Sequence, residues 1–193
     1  MPKPRAKAAQ GAPPMRASKP TAPEKIPRAI AAPTLDDHLE VMTRAIFQAG
    51  LSWAFIDSRW DAFRREFGGF VVTHVAAYGA YDIERLMTAD GIVHSRSKIL
   101  GTIANARALL ALVADFGDVA AYAHSFATYD ALRTDARKRF AYLGDLSCYY
   151  WLLRTGLPVM PFERWMERQS SDHPRMREMV LLARREKRSS EVV

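Results

Sequence analysis

The sequence holds one cysteine, Cys148, which excludes an internal disulfide and a multi-cysteine zinc site. No run approaches the roughly 18 uninterrupted apolar residues of a membrane span. A proline-rich basic start with no apolar segment behind it argues against a secretory signal, and a reducing cytosol is the expected setting. Strand signals are nearly missing; Phe70-Val71-Val72 is the one short candidate. Glycine is also sparse, with 10 in 193 residues, and falls mostly between periodic segments, where it reads as a helix terminator. A chain of this length supports one well-filled domain and no second large one.

What is abundant is positive charge, formally +7, but it is unevenly spread. Residues 1–34 carry seven Lys/Arg against one Glu, and residues 170–193 carry six against four acids. The remaining 35–169 hold 15 basic and 16 acidic residues, so the body is close to neutral. A basic tail can concentrate a protein on nucleic acid by counterion release, or simply keep it soluble. Any recognition of DNA by the body must come from local geometry. Eight of the eleven prolines lie in 1–34, which reads as a disordered tail.

Thr34 is the expected N-cap of a first helix, with Asp36 and Asp37 suiting the helix dipole. Leu35, Leu39, Met42 and Ile46 then repeat at helical spacing up to Gly50. A second helix follows Asp57-Ser58, with Trp60, Phe63 and Phe67 on one face, and stops at Gly68-Gly69. Asp82 is placed to cap a third. Ile99, Ile103, Ala106, Leu110 and Val113 define a long fourth. Shorter helices are expected over 118–126, 129–139, 146–155 and 162–169, and a basic peripheral one over 174–187. The fold class is therefore all-α: a single helical domain of about eight helices over 35–169, between the tail and a basic C-terminal segment, 170–193.

Two inter-helix turns stand out. One is Gln48-Ala49-Gly50-Leu51-Ser52-Trp53, a helix end that runs into a tryptophan. The other joins Lys138-Arg139-Phe140 to Cys148-Tyr149-Tyr150 through Leu143-Gly144-Asp145. Such a helix–turn–helix can aim backbone N–H groups at a phosphate, although the same words describe any corner between two helices.

These runs, with Asp82 to Leu86, Gly91-Ile92-Val93, Arg96-Ser97-Lys98-Ile99 and Asn105-Ala106-Arg107-Ala108, resemble the DNA-3-methyladenine glycosylase I family of the helix-hairpin-helix glycosylase superfamily. The resemblance spans about Leu35 to Leu157. It implies a helix-hairpin-helix architecture and hydrolysis of the N-glycosidic bond of an alkylated purine flipped from double-stranded DNA. It implies that Trp53 walls the base pocket beside Gln48, with a core tryptophan as the alternative. It also implies that Gly144, Leu146 and Ser147 offer hairpin amides to a phosphate. Arg96 and Lys98 are candidate backbone contacts, or else an ordinary solvated helix start.

The departures from the family are informative. Ala45 stands where the family has a pocket glutamate, and its N-terminal tyrosine and Cys/His zinc ligands have no counterpart here. No metal and no cofactor are expected. His38 and His173 read as surface residues, and Cys148 as buried. Glu163, in the first turn of a helix starting at Pro161, is the candidate catalytic carboxylate; a glutamate facing the helix dipole is the competing reading. Asp145 in the hairpin is another candidate carboxylate, with a helix N-cap as the favoured reading. The expected protein is an alkylpurine DNA glycosylase, or a relative that binds damaged bases without cleaving them. It is expected to act as a monomer in the bacterial cytosol or nucleoid, away from membranes.

Overall fold

A computed structural model describes residues 29–168, and the architecture among them is all-helical. It comprises α1 (Leu35–Gln48), α2 (Trp53–Asp57), α3 (Trp60–Glu66), a 3-10 turn (Gly68–Phe70) and α4 (Val72–Ala76). α5 (Ala80–Thr88), α6 (Arg96–Phe116), α7 (Val119–His124), α8 (Tyr129–Arg139), α9 (Asp145–Arg154) and α10 (Phe162–Arg168) complete it. Among the described residues ten α-helices thus replace the expected eight or so. Both additions, α2 and α4, are five-residue pieces too short to show a period in the sequence.

Thr34 caps α1 as expected. Its hydroxyl accepts from the Asp37 N–H at 3.2 Å, and Asp37 accepts in return from the Thr34 N–H at 2.8 Å. Asp82 does not cap α5. The cap is Gly79, whose N–H donates to Asp82 Oδ2 at 3.1 Å, so Asp82 is the reaching-back partner one turn inside. Phe70-Val71-Val72 is not a strand. Gly68 and Gly69 take positive φ (60° and 69°), reversing the chain, and Val72 opens α4 with its N–H bound to Asp36 Oδ1 at 2.8 Å. Val72 and Val75 then face the core at helical spacing.

The core surrounds α6, which buries Ile99, Ile103, Ala106, Leu109 and Leu112 under α1, α4, α5 and α7. By length and composition alone α6 is apolar enough to cross a membrane; here it is the central helix of the packed domain. Phe47, Trp60, Phe63, Phe67 and Phe70 form a ladder of stacked and edge-on rings beside it, with centroids 4.7–5.5 Å apart at the closest pairs. A smaller cluster of Tyr149, Trp165 and Met166 fixes α10 on α9.

His38 is buried, at 4% exposure, and is not the surface residue its isolation in the sequence suggested. Its Nδ1 accepts from Trp151 Nε1 at 3.0 Å, linking α1 to α9. Burial lowers its pKa to about 4 against a smaller opposing pull from Asp37, so the ring is neutral. Cys148 is buried as expected, and desolvation raises its pKa to about 12. Of the expected tail, residues 29–34 run along the domain, where the Ile30 N–H donates to the Arg154 carbonyl at 2.8 Å. The rest of the tail, His173 and the expected helix over 174–187 lie outside the described residues.

Candidate active site

The first unusual turn begins where α1 ends. Gly50, at φ 84°, turns the chain out of the helix and Trp53 opens α2. Lys98 closes the end of α1: its Nζ donates to the carbonyl oxygens of Ala49 (2.7 Å) and Phe47 (3.2 Å). A lysine among the last carbonyls of a helix satisfies acceptors that have no partner within it, and its charge opposes the negative dipole end. Arg96 ion-pairs with Glu84 of α5. Both expected backbone contacts are therefore engaged in joints of the fold.

Two more residues of the likeness prove to be joints as well. Asn105 clamps the second turn from α6: its Nδ2 donates to the Ala141 carbonyl (3.1 Å) and its Oδ1 accepts the Ala141 N–H (2.7 Å). Arg107 donates to the carbonyls of Ala76 (2.8 Å) and Tyr78 (3.0 Å), fixing the end of α4.

The second turn connects α8 to α9 as a helical hairpin. Tyr142, at its tip, has a left-handed backbone (φ 58°), is half exposed, and lays its ring on Gly101. A Cβ at Gly101 would stand 2.6 Å from that ring, so glycine is what permits the approach. Gly144 is the N-cap of α9 and supplies no side-chain acceptor, which leaves the first-turn N–H groups, those of Leu146 and Ser147 among them, pointing out of the helix end. Asp145 is the first helical residue and not the cap. Its carboxylate turns to Arg137 (2.8 Å) and Arg133 (3.0 Å) on α8, which offset its charge at the helix entrance.

Trp53 lies against the same helix. Its ring meets Tyr150 of α9 edge-on at 5.8 Å. The Trp53 Nε1 donor is buried and has no hydrogen-bond partner among the described residues. A desolvated donor left unmade costs about 1–3 kcal/mol, so such groups concentrate where a ligand or water completes them. Gln48 is buried and donates Nε2 to Asp57 Oδ1 at 3.3 Å. Ala45, also buried, lies one turn before it on α1.

Tyr150 also lines a cleft of about 90 Å³ between α1, α3 and α9, with Asp37, Glu40, Arg44, Arg64 and Arg154. Its acids are engaged: Glu40 accepts from Trp60 Nε1 (2.6 Å) and Arg64 Nε (2.9 Å), and Asp37 belongs to the Thr34 cap. Glu163 stands elsewhere. It is exposed in the first turn of α10, which docks through the Tyr149–Trp165 stack. Tyr149 and Tyr150 are consecutive, so their side chains leave α9 about 100° apart. The structure thus brings Trp53, Gln48 and Ala45 to one corner with the hairpin helix, and leaves Glu163 on a different side of it.

The family model of methyladenine glycosylases matches residues 31–147, well over half of the chain, from the start of the domain into the first turn of α9. The chain belongs to the methyladenine glycosylase family. It is 30% identical over 131 residues to DNA-3-methyladenine glycosylase 1 of Escherichia coli, covering 57% of this chain and 70% of that protein. Among solved structures it resembles a 3-methyladenine DNA glycosylase I with a TM-score of 0.57 at 27% identity, over 66% of this chain and 81% of that one. The Staphylococcus aureus 3-methyladenine DNA glycosylase I is similar at a TM-score of 0.54 and 25% identity, over 63% and 76%. That structure concerns recognition of 3-methyladenine by the S. aureus protein.

Within this family frame, sequence reasoning missed Tyr150, Arg44 and Asp57. Adjacent tyrosines on a helix carry no sign of which faces which neighbour. Asp57, four residues after Trp53 on α2, had a usable signal in that spacing, but α2 itself was too short to be recognised.

Proposed function

We propose that this member of the family is a DNA glycosylase that excises alkylated purines of the 3-methyladenine type by hydrolysing the N-glycosidic bond, in base-excision repair. One observation carries the reading: Trp53, whose buried N–H has no partner among the described residues, rests on Tyr150 of the same helix whose first turn opens at Gly144. The base wall therefore rests on the helix whose N-terminus is the phosphate hook. In this reading α8 and α9 act as the helix-hairpin-helix, and the amides around Gly144, Leu146 and Ser147 hold a phosphate of double-stranded DNA without side-chain charge. Trp53 and Gln48 meet the flipped base, whose extrusion is easier when the pair is already damaged. Of the two expected backbone contacts, half-exposed Arg96 is the one free to reach a phosphate by exchanging Glu84, since Lys98 completes α1.

The support for a base pocket at Trp53 is physical. A cationic base attracts an aromatic face, and burial among Trp53, Gln48 and Tyr150 strengthens that attraction by removing water. We extend the reading to a monomer acting in the bacterial cytosol or nucleoid, where duplex DNA is the partner.

A second reading is favoured by one specific finding: Ala45 has no carboxylate to offer and Glu163 lies on another side of α9. A member that lacks the family's carboxylate at position 45 would bind a damaged base without cleaving it. Single-turnover reaction of the full chain with a duplex carrying one 3-methyladenine separates the two. Abasic sites formed at the lesion, and none on unmodified duplex, support excision. Preferential binding with the lesion left intact supports the second reading, and no preference overturns both.

A further inference from the structure

We propose that Asp57 is the carboxylate that recognises the positive charge of the flipped base, and so is a specificity-determining residue of this site. The inference rests on the glycosylase reading and concerns a residue outside every motif of the family likeness.

A base that carries a positive charge loses hydration when it enters a pocket, and an uncompensated cation there is strongly unfavourable. An aromatic wall returns part of that loss, and an anionic acceptor returns more. Position 45 supplies none. Glu40 is already bound by Trp60 Nε1 and Arg64, and Asp37 by the Thr34 hydroxyl and N–H.

Asp57 differs from both. It ends α2, the helix that Trp53 begins, and four residues of helix place the two on the same side, one turn apart. Its Oδ1 accepts from Gln48 Nε2 at 3.3 Å, so it borders the residue expected to touch the base. About a third of its side chain is exposed. Arg44 approaches Oδ1 only to 3.6 Å, beyond a close hydrogen bond. That guanidinium also reaches Glu40 at 3.9 Å and lies over the Trp60 ring at 4.3 Å. Arg44 therefore orients the carboxylate while dividing its own charge among three partners. Asp57 is thus held at the edge of the corner made by Trp53 and Gln48, with charge still to give.

The test uses two duplexes with a 2′-fluorinated sugar at the lesion, which resists cleavage because the fluorine disfavours the cation-like transition state. One carries cationic 3-methyladenine and the other its neutral 3-deaza isostere; shape is matched and charge is not. The full-length protein is expected to prefer the cationic duplex. Asp57→Asn should cut that preference about tenfold or more, the effect of losing a charge-assisted contact, while affinity for the neutral duplex stays within about twofold. Asp57→Glu should keep part of the preference. If Asp57→Asn leaves the ratio of the two affinities unchanged, or lowers both affinities alike, the proposal is overturned while the glycosylase reading stands. A wild-type protein that binds neither duplex better than unmodified DNA overturns the reading and the proposal together.

Discussion

Tyr149 and Tyr150 are neighbours in sequence and serve different sides of α9. The Tyr149 side is closed: its hydroxyl donates to the Met160 carbonyl at 3.0 Å and its ring stacks on Trp165 at 4.3 Å. Desolvation also raises the Tyr149 pKa to about 12, with a smaller push from Glu163. The Tyr150 side is open: its ring meets Trp53, whose donor is left unmade, and a cleft follows. The contrast teaches where to look for function in a body with little net charge. Polar groups completed inside the protein hold the fold together, and a buried donor left incomplete beside a cleft-lining residue, as Trp53 is beside Tyr150, is a place where a ligand or water can complete it.

The largest effect should fall on the closed side. Trp165→Ala removes a fully buried ring and leaves a void under Tyr149, so stability should drop by about 3–5 kcal/mol in denaturant unfolding. Excision measured well below the transition should stay near wild type. A large loss of activity in a folded Trp165→Ala protein would break the division between the two sides.

A second effect concerns the face of α9 that meets α1. His38 is neutral in the fold, with its pKa near 4, and titrates near 6.5 when unfolded. The unfolded chain therefore binds the extra proton first. Stability is intact above about pH 6.5, falls as the pH drops toward 4, and is level below that, with a total loss of about 3 kcal/mol from this group. Urea midpoints across that range should follow the curve, and His38→Gln should flatten it. An equally steep curve in His38→Gln would assign the acid sensitivity to other groups.

The smallest changes in stability should come from the open side, where activity carries the signal. Trp53→Ala should slow single-turnover excision roughly 10- to 100-fold, in line with about 1–3 kcal/mol for stacking on one base, with a minor change in Tm. Glu163→Gln should leave excision within about twofold. Full activity in Trp53→Ala, or a collapse in Glu163→Gln, would move the chemistry to the other side of α9.

Much of this was legible in the order of residues. The α1 cap, the long α6 and the limits of α8 follow from hydrogen bonding and periodicity within one or two turns, which the sequence states locally. The family motifs were legible too, although several of their residues serve as joints. Lys98, Asn105 and Arg107 each satisfy carbonyl groups of another segment, 31 to 51 residues distant. Joints of that kind preserve a fold even when its pocket changes, as at Ala45.

The sequence by itself determined the helical class, most of the helices, the uneven charge and the two turns that matter, because each depends on spacing along one chain. Only the tertiary structure decided which face of α9 is open, because Tyr149 and Tyr150 are equivalent until α2 and α10 pack against them. It also decided that His38 is buried against Trp151, a partner 113 residues away, and that Asp57 borders Gln48 across the end of α1. Those pairings arise when separate helices bury their apolar faces together, and no local pattern encodes which polar groups that burial brings into contact.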